Sequence, residues 1–521
     1  MNIGSVLTQA AKNSPERTAI IYGDLRRSYR ELNARANRLA AQLRKEGLGN
    51  GDRVAILQRN CPELLETMFA TFKMGAITVP MNARLHPKEA AYILQDSGAK
   101  AVVFTDDFVG PLETIRDELK GIATFICIGQ APAWAKSYEQ FIADGDAADC
   151  DEPRDKDDIA WLFYTSGTTG KPKGAMESHG NLQFMTDHYP IEVYQLKADD
   201  IVMHPGPLTH GSGLWAVSIT AGSGTHLIPT AASFDPNHIF GLIEKHKVTK
   251  IAFIAPTMIT MLLNAPNIGK YDLSSLRFFG YGGSPMYVED LKRAIQQWGP
   301  IFCQIYGQGE TPMTITMLTP EDHKLAAEDS ALETRLASAG RIRKDIQMAV
   351  LDENDEELGD EKIGEIALRG DCVMKGYWNK AEATEEAFKN GWYHTGDLGK
   401  RDADGFYYLL DRKKELIITG GANVYPREVE EVLLLHPGVL EVAVIGVPDR
   451  LWGESVMAVV RPRRGMKPQV NELLELCRDH LSGYKKPRYI RFQDDLPKSG
   501  YGKILKRELK AAIVAELEAS S

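Results

Sequence analysis

Hydrophobic and polar positions in the first part of the chain follow two alternating periods. Apolar residues recur at helical spacing after Ser28-x-x-Glu31, which has the form of a capping box, and again over residues 62–73 and 86–95. Short apolar runs between these stretches predict buried strands at residues 53–57, 77–80 and 101–104. Strands that alternate with helices predict parallel sheets with helices on their faces, so the expected fold class is α/β.

The remaining apolar runs extend this pattern and then change it. Runs at residues 159–164, 251–256, 276–285 and 301–306 each read as a strand that enters a turn. Beyond residue 420 the pattern becomes a shorter α+β unit. It predicts helices at residues 427–435 and 470–481 and strands at residues 440–447, 456–460 and 489–492.

The loop after the predicted strand 159–164 has a composition suited to an anion. It holds three glycines, two lysines and four hydroxyl residues. Glycines let backbone N–H groups turn toward a ligand, hydroxyls add donors, and lysines add positive charge, which together suit a polyphosphate. The spacing is not that of a Walker-type loop. The predicted phosphate-binding residues are Thr165, Ser166, Gly167, Thr168, Thr169, Gly170 and Lys171.

Three later segments carry further candidate chemistry. Ligands of open α/β sheets lie beyond the carboxyl ends of strands, so the turn Tyr306-Gly307-Gln308-Gly309-Glu310 is well placed for a site. Tyr306 is suited to stack on a purine, and Glu310 is suited to hold Mg²⁺ because hard cations take carboxylate and phosphate oxygens together. Asp397, between glycines, is suited to accept from two ribose hydroxyls. The Gly420-Gly421 turn allows close approach of a slender ligand such as pantetheine.

The loop Tyr164-Thr-Ser-Gly-Thr-Thr-Gly-Lys-Pro-Lys-Gly174 closely resembles the signature of the adenylate-forming superfamily, and four further motifs follow in the family's order. Its members include acyl-CoA synthetases, firefly luciferase and the adenylation domains of peptide synthetases. The resemblance implies a large N-terminal region, residues 1–412, of stacked α/β subdomains and a distorted β-barrel. It also implies a small mobile α+β C-terminal domain, residues 413–521.

The same resemblance assigns roles to individual residues. His210 would line the acyl pocket, and the turn Tyr281–Pro285, with Gly282, Gly283 and Ser284, would pack along the adenine and the acyl group. Four positions complete the assignment: Asp397 binds the ribose, Arg412 reaches the ribose or phosphate, Lys414 is the point where the domains swivel, and Lys503 completes the adenylation site. The residues expected to act in catalysis are Lys503, Glu310, Thr165 and His210.

One position departs from the family pattern, which is usually Tyr-Gly-x-Thr-Glu. Gly309 occupies the place of the threonine. We expect this to remove a hydroxyl near the α-phosphate and to leave more room beside the acyl group.

The implied reaction joins a carboxylic acid to AMP and then transfers the acyl group to a thiol. ATP, Mg²⁺ and coenzyme A are the expected partners, and Lys503 would neutralise the oxygens between the acyl group and the α-phosphate. Two alternatives remain: an adenylation enzyme that loads a separate carrier protein, and a nucleotide-binding protein without catalysis. The sequence leaves both medium- or long-chain fatty acids and aryl-propenoic acids open as the acid.

Composition and charge limit the other partners. The chain has 521 residues, of which 43% are hydrophobic, and a net charge of −10, which disfavours bulk nucleic-acid binding. Residues 461–510 nevertheless carry 14 Lys+Arg against 6 Asp+Glu, as expected either for a phosphorylated small-molecule partner or for a solvated face.

Cysteine spacing and hydropathy limit the cellular compartment and the kind of membrane association that we expect. The six cysteines lack metal-ligand spacing and are expected to be reduced thiols that fill core space. No signal peptide and no run of about 18 apolar residues is evident. We therefore expect a cytoplasmic monomer or homodimer without a membrane span, with peripheral membrane contact left open.

Overall fold

The structure, a computed structural model, describes residues 1–165, 171–284, 286–498 and 504–519. Within these residues the strands are, in chain order, β1 Thr18–Tyr22, β2 Leu25–Ser28, β3 Arg53–Leu57, β4 Ile77–Pro80, β5 Ala101–Thr105, β6 Thr124–Ile128, β7 Lys136–Ser137, β8 Ile159–Thr165, β9 Lys173–Ser178, β10 Ile201–Met203, β11 Thr225–Leu227, β12 Lys250–Ile254, β13 Phe278–Gly282, β14 Phe302–Tyr306, β15 Thr316–Leu318, β16 Arg341–Ile342, β17 Gln347–Leu351, β18 Gly364–Arg369, β19 Phe388–Lys389, β20 Trp392–Arg401, β21 Tyr407–Arg412, β22 Ile417–Thr419, β23 Ala422–Val424, β24 Val439–Asp449, β25 Gly453–Pro462 and β26 Tyr489–Phe492.

The α-helices of the described residues surround these strands. They are α1 Ser5–Asn13, α2 Tyr29–Lys45, α3 Pro62–Lys73, α4 Pro87–Ser97, α5 Val109–Ile115, α6 Tyr138–Ala143, α7 His179–His188, α8 Gly211–Ala221, α9 Pro236–His246, α10 Pro256–Leu263, α11 Val288–Trp298, α12 Pro320–Glu328, α13 Ala381–Ala387, α14 Pro426–Leu434, α15 Val470–His480 and α16 Lys506–Ala519.

Local sequence signals explain where several helices begin and end. Ser28 and Glu31 form the predicted capping box at the start of α2. Pro87 occupies the first turn of α4, where its missing N–H costs nothing, and Gly98 ends that helix in the left-handed conformation. The predicted capping box, strands and helices listed from the sequence are confirmed, with ends displaced by a few residues at most.

Two large, mainly parallel sheets form the N-terminal region, as the α/β prediction requires. One has the order β7-β6-β5-β3-β4-β8-β9, and the other has the order β16-β15-β14-β13-β12-β10-β11-β1-β2. Helix α8 lies in the core between them, and its residues from Gly211 to Thr220 are all buried. A helix that is apolar on every face needs such a position between two layers.

Two smaller sheets complete the fold. Strands β17 to β21 form an antiparallel sheet of five strands. Strands β22 to β26 form the last sheet, and its two hydrophobic clusters draw only on residues 417–513. The other clusters among the described residues draw on residues up to 409. The predicted fold class is confirmed, and the division near residue 412 stays a prediction.

Two further observations concern the expectations from composition. All six cysteines are free, five of them are buried, and Cys150 is half-buried, as predicted for core thiols. Among the described residues, no helix combines the length and the apolar character that crossing a membrane requires.

Candidate functional site

A cavity of about 930 Å³ lies between the N-terminal region and the last hundred or so residues. The carboxyl ends of the adjacent parallel strands β13 and β14 open into it and contribute Gly283, Ser284, Tyr306, Gly307 and Gln308 to its wall. This is the edge of an open α/β sheet where ligands bind. The C-terminal residues that complete the wall include Leu440, Arg461, Lys498, Ile504 and Lys506.

Asp397 is the centre of a polar network in this cavity. Its Oδ2 accepts hydrogen bonds from the Tyr306 hydroxyl at 2.6 Å and from Gln308 Nε2 at 2.7 Å. Its Oδ1 forms an ion pair with Arg412 Nε at 2.6 Å. The Tyr393 hydroxyl donates to Gln308 Oε1 at 2.7 Å and fixes the orientation of that amide. The sequence-predicted residues Tyr306, Gln308, Asp397 and Arg412 are therefore brought together.

The electrostatics of this network keep its groups in fixed protonation states. The Asp397 carboxylate raises the pKa of Arg412, so the guanidinium stays charged. Burial, reinforced by the same carboxylate, raises the pKa of Tyr306 well above its usual value, so its hydroxyl stays a donor. Carboxylate oxygens carry more than one lone pair each, so Asp397 retains acceptor capacity for a ligand hydroxyl.

Glu310 is held by two hydroxyl groups at the junction of the two large sheets. The Thr165 hydroxyl donates to Glu310 Oε1 at 2.9 Å, and the Tyr377 hydroxyl donates to the same oxygen at 3.0 Å. Within the described residues, no group of three or more His, Cys, Asp and Glu side chains is arranged to hold a metal. Glu310 fits a site in which one carboxylate oxygen binds Mg²⁺ and phosphate oxygens or water supply the other ligands.

Gly309 does not leave the room that the sequence suggested. A Cβ at this position would lie 2.4 Å from Phe163 Cδ1 and 2.8 Å from the Thr165 methyl group. The space that a threonine would occupy is therefore filled by Phe163 and Thr165. The expectation of a wider pocket at Gly309 is wrong in this structure.

His210 lies at the start of α8 against an aromatic wall. Its ring centroid is 4.7 Å from that of Phe163. Burial lowers the pKa of His210 to about 3, so the imidazole is neutral at physiological pH. A Cβ on Gly211 would lie 3.2 Å from the Met313 methyl group and 3.3 Å from the Phe253 ring. The fully buried Trp215 ring has its centroid 5.2 Å from that of Phe253.

Residues 281–284, at the end of β13 and just after it, divide into those that line the cavity and those that do not. Gly283 and Ser284 line it. Gly282 is buried, and a Cβ there would lie 2.2 Å from the Ile305 carbonyl oxygen and 3.1 Å from Phe253. The Tyr281 side chain is fully buried and contacts His323, with its hydroxyl 2.9 Å from Nε2. The expectation that Tyr281 packs along a ligand is therefore wrong.

Several predicted residues lie outside this cavity or outside the described residues. Ser166, Gly167, Thr168, Thr169, Gly170 and Lys503 belong to the undescribed ranges. Lys498, Ile504 and Lys506, on either side of Lys503, line the cavity together with Asp397 and Arg412. Lys171, the first described residue after the loop, has its Nζ 5.4 Å from the centroid of the Tyr92 ring.

The predicted hinge and the predicted pantetheine turn lie at the start of the C-terminal unit. Lys414 belongs to the short 3₁₀ helix Lys413–Glu415, and burial lowers its pKa. Gly420 and Gly421 connect β22 to β23 with φ of 58° and 80°, values that favour glycine. Neither glycine lines the cavity.

Part of the basic C-terminal charge is neutralised by neighbouring carboxylates. Arg461 pairs with Glu441 at 2.7 Å and with Asp495 at 3.2 Å, and Lys485 pairs with Glu428 at 2.6 Å. These pairs reduce the charge that Arg461 and Lys485 can offer to a phosphorylated ligand.

Sequence reasoning missed three residues that the structure adds to the site region. Tyr393 and Tyr377 hold Gln308 and Glu310, and Arg427 joins the two parts of the chain. A signal existed for Tyr393, which lies within the Gly391–Gly399 motif that carries Asp397. No local pattern pointed to Tyr377.

Comparison with known proteins gives two family matches. The model described as "AMP-binding enzyme" matches residues 7–378, and the one described as "AMP-binding enzyme C-terminal domain" matches residues 428–503.

Individual relatives cover nearly the whole chain. It is 38% identical to a feruloyl-CoA synthase of Amycolatopsis sp and 34% identical to the long-chain-fatty-acid–CoA ligase FadD13 of Mycobacterium tuberculosis, with 98% of each chain covered in both cases. Among solved structures, the anthranilate CoA ligase AuaEII in complex with anthranoyl-AMP superposes with a TM-score of 0.92 at 25% identity, covering 100% of this chain and 98% of that one.

Proposed function

The chain belongs to the AMP-binding enzyme family and is an acyl-CoA synthetase of that family, and from this premise we propose that it joins an aryl or aryl-propenoic acid to coenzyme A. ATP activates the acid as an acyl-AMP with release of pyrophosphate, and the thiol of CoA then displaces AMP. A carboxylate needs this activation because oxide is a poor leaving group, whereas AMP is a good one.

The aromatic side chains near His210 are the observation that carries the choice of acid. Phe163 lies against His210, a Cβ on Gly211 would lie 3.2 Å from the Met313 methyl group and 3.3 Å from Phe253, and Trp215 packs against Phe253. Aromatic side chains suit a planar acid, since stacked and edge-to-face contacts between rings are favourable. The similarity to a feruloyl-CoA synthase supports the same choice.

The polar residues have separate roles in the adenylation step that we propose. Asp397 and Arg412 hold the ribose side of ATP, and Tyr306 lies beside the base. Glu310, oriented by Thr165, would hold Mg²⁺, which would supply charge neutralisation at the phosphates, and the loop 166–171 binds the outer phosphates. Neutral His210 forms a wall of the acid site without adding a charge beside the reacting carboxylate. Lys503 neutralises the oxygens between the acid and the α-phosphate.

We extend the proposal to the division of the chain. Residues 1–412 form the adenylation region and residues 413–521 turn as a unit about Lys414, so that Lys503 serves the first half-reaction and the Gly420-Gly421 turn serves the second.

An acid panel with AMP release as the readout tests the choice of acid. We expect kcat/KM for ferulate, 4-hydroxycinnamate or indoleacetate to exceed that for octanoate or palmitate by at least about tenfold, which corresponds to roughly 1.4 kcal/mol of differential transition-state binding. Phe253→Leu should change the ranking of acids and leave the KM for ATP unchanged. A preference for palmitate would overturn the aryl proposal and favour the fatty-acid alternative.

Two further measurements separate the remaining alternatives. CoA compared with a holo-carrier protein as acceptor distinguishes the ligase from a carrier-loading enzyme. Lys503→Ala should abolish acid-dependent ATP–pyrophosphate exchange and retain thioester formation from supplied acyl-AMP. Equal loss in both half-reactions would contradict the role given to Lys503.

A further inference from the structure

The segment of residues 374–378 is an added edge of the β8–β9 hairpin. Lys375 N donates to Met176 O at 2.8 Å, Met176 N donates to Gly376 O at 2.9 Å, and Trp378 N donates to Gly174 O at 2.8 Å. These backbone hydrogen bonds fix the position of Tyr377 opposite Ala175. Tyr377 is therefore held by the same hairpin that carries the predicted phosphate loop.

Tyr377 and its neighbour Met374 contact Glu310 through both side chain and main chain. The Tyr377 hydroxyl donates to Glu310 Oε1 at 3.0 Å, and Met374 N donates to Glu310 O at 2.9 Å. The Thr165 hydroxyl donates to the same Oε1 at 2.9 Å. Two donors on one oxygen fix the rotation of the carboxylate, and among the described residues both hydroxyl hydrogen bonds end on Oε1. The other oxygen, Oε2, receives neither of these two hydrogen bonds.

The Tyr377 ring makes a second contact at the base of the loop. Lys173 Nζ lies 4.9 Å from the ring centroid, within the range of a cation–π interaction. A phenol hydroxyl carries its proton at physiological pH, so Tyr377 acts as the donor in the hydrogen bond to Glu310. One side chain therefore contacts both a predicted metal ligand and a lysine that follows the phosphate loop.

We propose that Tyr377 is a positioning residue that orients the Glu310 carboxylate toward Mg²⁺ and holds Lys173 at the base of the phosphate loop. This inference rests on the proposed function, because it takes Glu310 as the metal ligand. Its physical basis is preorganisation: a carboxylate already aimed at the cation loses no rotamer freedom when the metal–nucleotide complex binds.

The direct test measures cation binding without turnover. Mn²⁺ affinity is determined by electron paramagnetic resonance in the presence of a non-hydrolysable ATP analogue, for the wild type and for Tyr377→Phe. Removal of a hydrogen bond to a charged group should weaken Mn²⁺ binding by about tenfold. Thr165→Val, which removes the other donor, should weaken it in the same direction. Tyr377→His, which keeps a ring and an N–H donor, should recover part of the loss and serves as a second variant if the phenylalanine variant folds poorly.

Tyr138→Phe is the matched control. In the wild type, the Tyr138 hydroxyl donates to the buried Glu66 carboxylate at 2.7 Å. This contact lies in the helical layer where α2 packs against α6, away from Glu310. Its Mn²⁺ affinity should equal that of the wild type. Tyr377→Leu, which removes the ring as well, should additionally weaken binding of the nucleotide analogue in the absence of metal.

The outcomes separate this inference from the proposed function. Wild-type Mn²⁺ affinity in a folded Tyr377→Phe variant would overturn the inference, as would an equal loss in Tyr138→Phe. Absence of acid-dependent pyrophosphate exchange with every acid of the panel would instead overturn the proposed function, and it would do so whatever the Mn²⁺ affinities are.

Discussion

At the scale of single residues, Gly309 shows how a missing side chain is used by its neighbours. The Phe163 ring and the Thr165 methyl group occupy the volume where a side chain at position 309 would lie. Thr165 in turn holds Glu310. The absence of a Cβ therefore allows β8 and the turn after β14 to approach, and it is a packing requirement rather than a source of pocket volume.

We expect Gly309→Thr to lower activity toward every acid, narrow and wide alike. A Cβ there must displace Phe163 or Thr165, and overpacking of this kind typically costs about 1–3 kcal/mol of stability. The measurements are thermal unfolding and kcat/KM across acids of increasing width. Gly359→Ala is the control, because a Cβ at Gly359 has no atom within 4 Å and should change neither. Loss confined to the widest acids would instead indicate that position 309 borders the acyl group.

Glu177 is the second residue whose environment has a measurable consequence. Its side chain is fully buried on β9, and neither carboxyl oxygen has a hydrogen-bond partner among the described residues. Burial, with a smaller effect of Glu310, raises the pKa of Glu177 well above its usual 4.5. The carboxyl is therefore neutral when the chain is folded and ionised when it is unfolded near pH 7.

This difference in protonation determines whether Glu177 makes the folded protein more or less stable as pH rises. Below the pKa of Glu177 in the unfolded chain, both states bind the proton, so Glu177 does not make the free energy of unfolding depend on pH. Between that pKa and the higher pKa in the folded chain, only the unfolded state loses the proton. Over this range the free energy of unfolding falls by up to about 1.4 kcal/mol per pH unit as pH rises. Glu177→Leu should therefore raise the midpoint of thermal unfolding more at pH 8 than at pH 5. The exposed Glu353→Leu serves as the control and should show no such trend. An equal effect of Glu177→Leu at both pH values would contradict an elevated pKa.

At the scale of elements, the sequence predicted those helices and strands that are determined by residues close together in the chain. The capping box of α2, the proline-started α4 and the apolar strands β3, β4 and β5 follow from residues within a few positions of each other. The site motifs were also contiguous, so Tyr306, Gln308, Glu310 and Asp397 could be identified.

The contacts between distant segments could not be predicted in the same way. Tyr377 lies 67 positions from Glu310, and the partners of Asp397 come from β14 and β21. No periodicity encodes such pairings, because they depend on how whole sheets pack. The error at Gly309 has the same origin. In the sequence a glycine suggests unoccupied volume, but whether a distant residue fills that volume depends on tertiary packing.

The turn between β22 and β23 offers a prediction at this scale. A Cβ at Gly420 would lie 2.5 Å from the Trp452 ring, and its φ of 58° disfavours other residues. We expect Gly420→Ala to slow thioester formation from supplied acyl-AMP several-fold and to leave pyrophosphate exchange nearly unchanged, since Gly420 does not line the cavity. Gly465→Ala, at another positive φ in the same unit with open space around it, is the control and should leave both half-reactions intact. A selective loss of pyrophosphate exchange would contradict the role of the turn.

At the scale of the whole molecule, a few polar contacts join the two parts of the chain. Arg427, on α14, donates to Leu409 O at 2.7 Å and to Ala337 O at 3.3 Å. Nearby, Lys506 pairs with Glu430 at 2.8 Å and lies 3.8 Å from Asp411. Glu415 lies 4.0 Å from the same lysine. Burial, opposed by Lys506, raises the pKa of Asp411, so this cluster carries less negative charge than its three carboxyl groups suggest. These contacts hold the orientation in which Ile504 and Lys506 line the cavity.

We expect Arg427→Met to favour other orientations of the C-terminal unit. Loss of two hydrogen bonds from a charged donor should shift the equilibrium by about fivefold to tenfold, slowing pyrophosphate exchange by a similar factor while thioester formation from supplied acyl-AMP is retained. Small-angle scattering together with the two half-reactions measures the effect. Arg491→Met, which breaks an ion pair to Glu516 inside the C-terminal unit, is the control. Unchanged exchange in Arg427→Met would show that this contact does not set the orientation.

The network around Asp397 has a consequence for the binding and release of a nucleotide during the proposed catalytic cycle. Two hydrogen bonds and one ion pair from its own chain compensate this carboxylate permanently. In the ribose-binding role that we propose for Asp397, an arriving sugar hydroxyl would join dipoles that are already ordered, and its departure would leave no unpaired charge. Little solvent reorganisation would accompany either event, so exchange of AMP for ATP would be governed by the phosphates. The carboxylate would then keep the same protein partners throughout the proposed cycle.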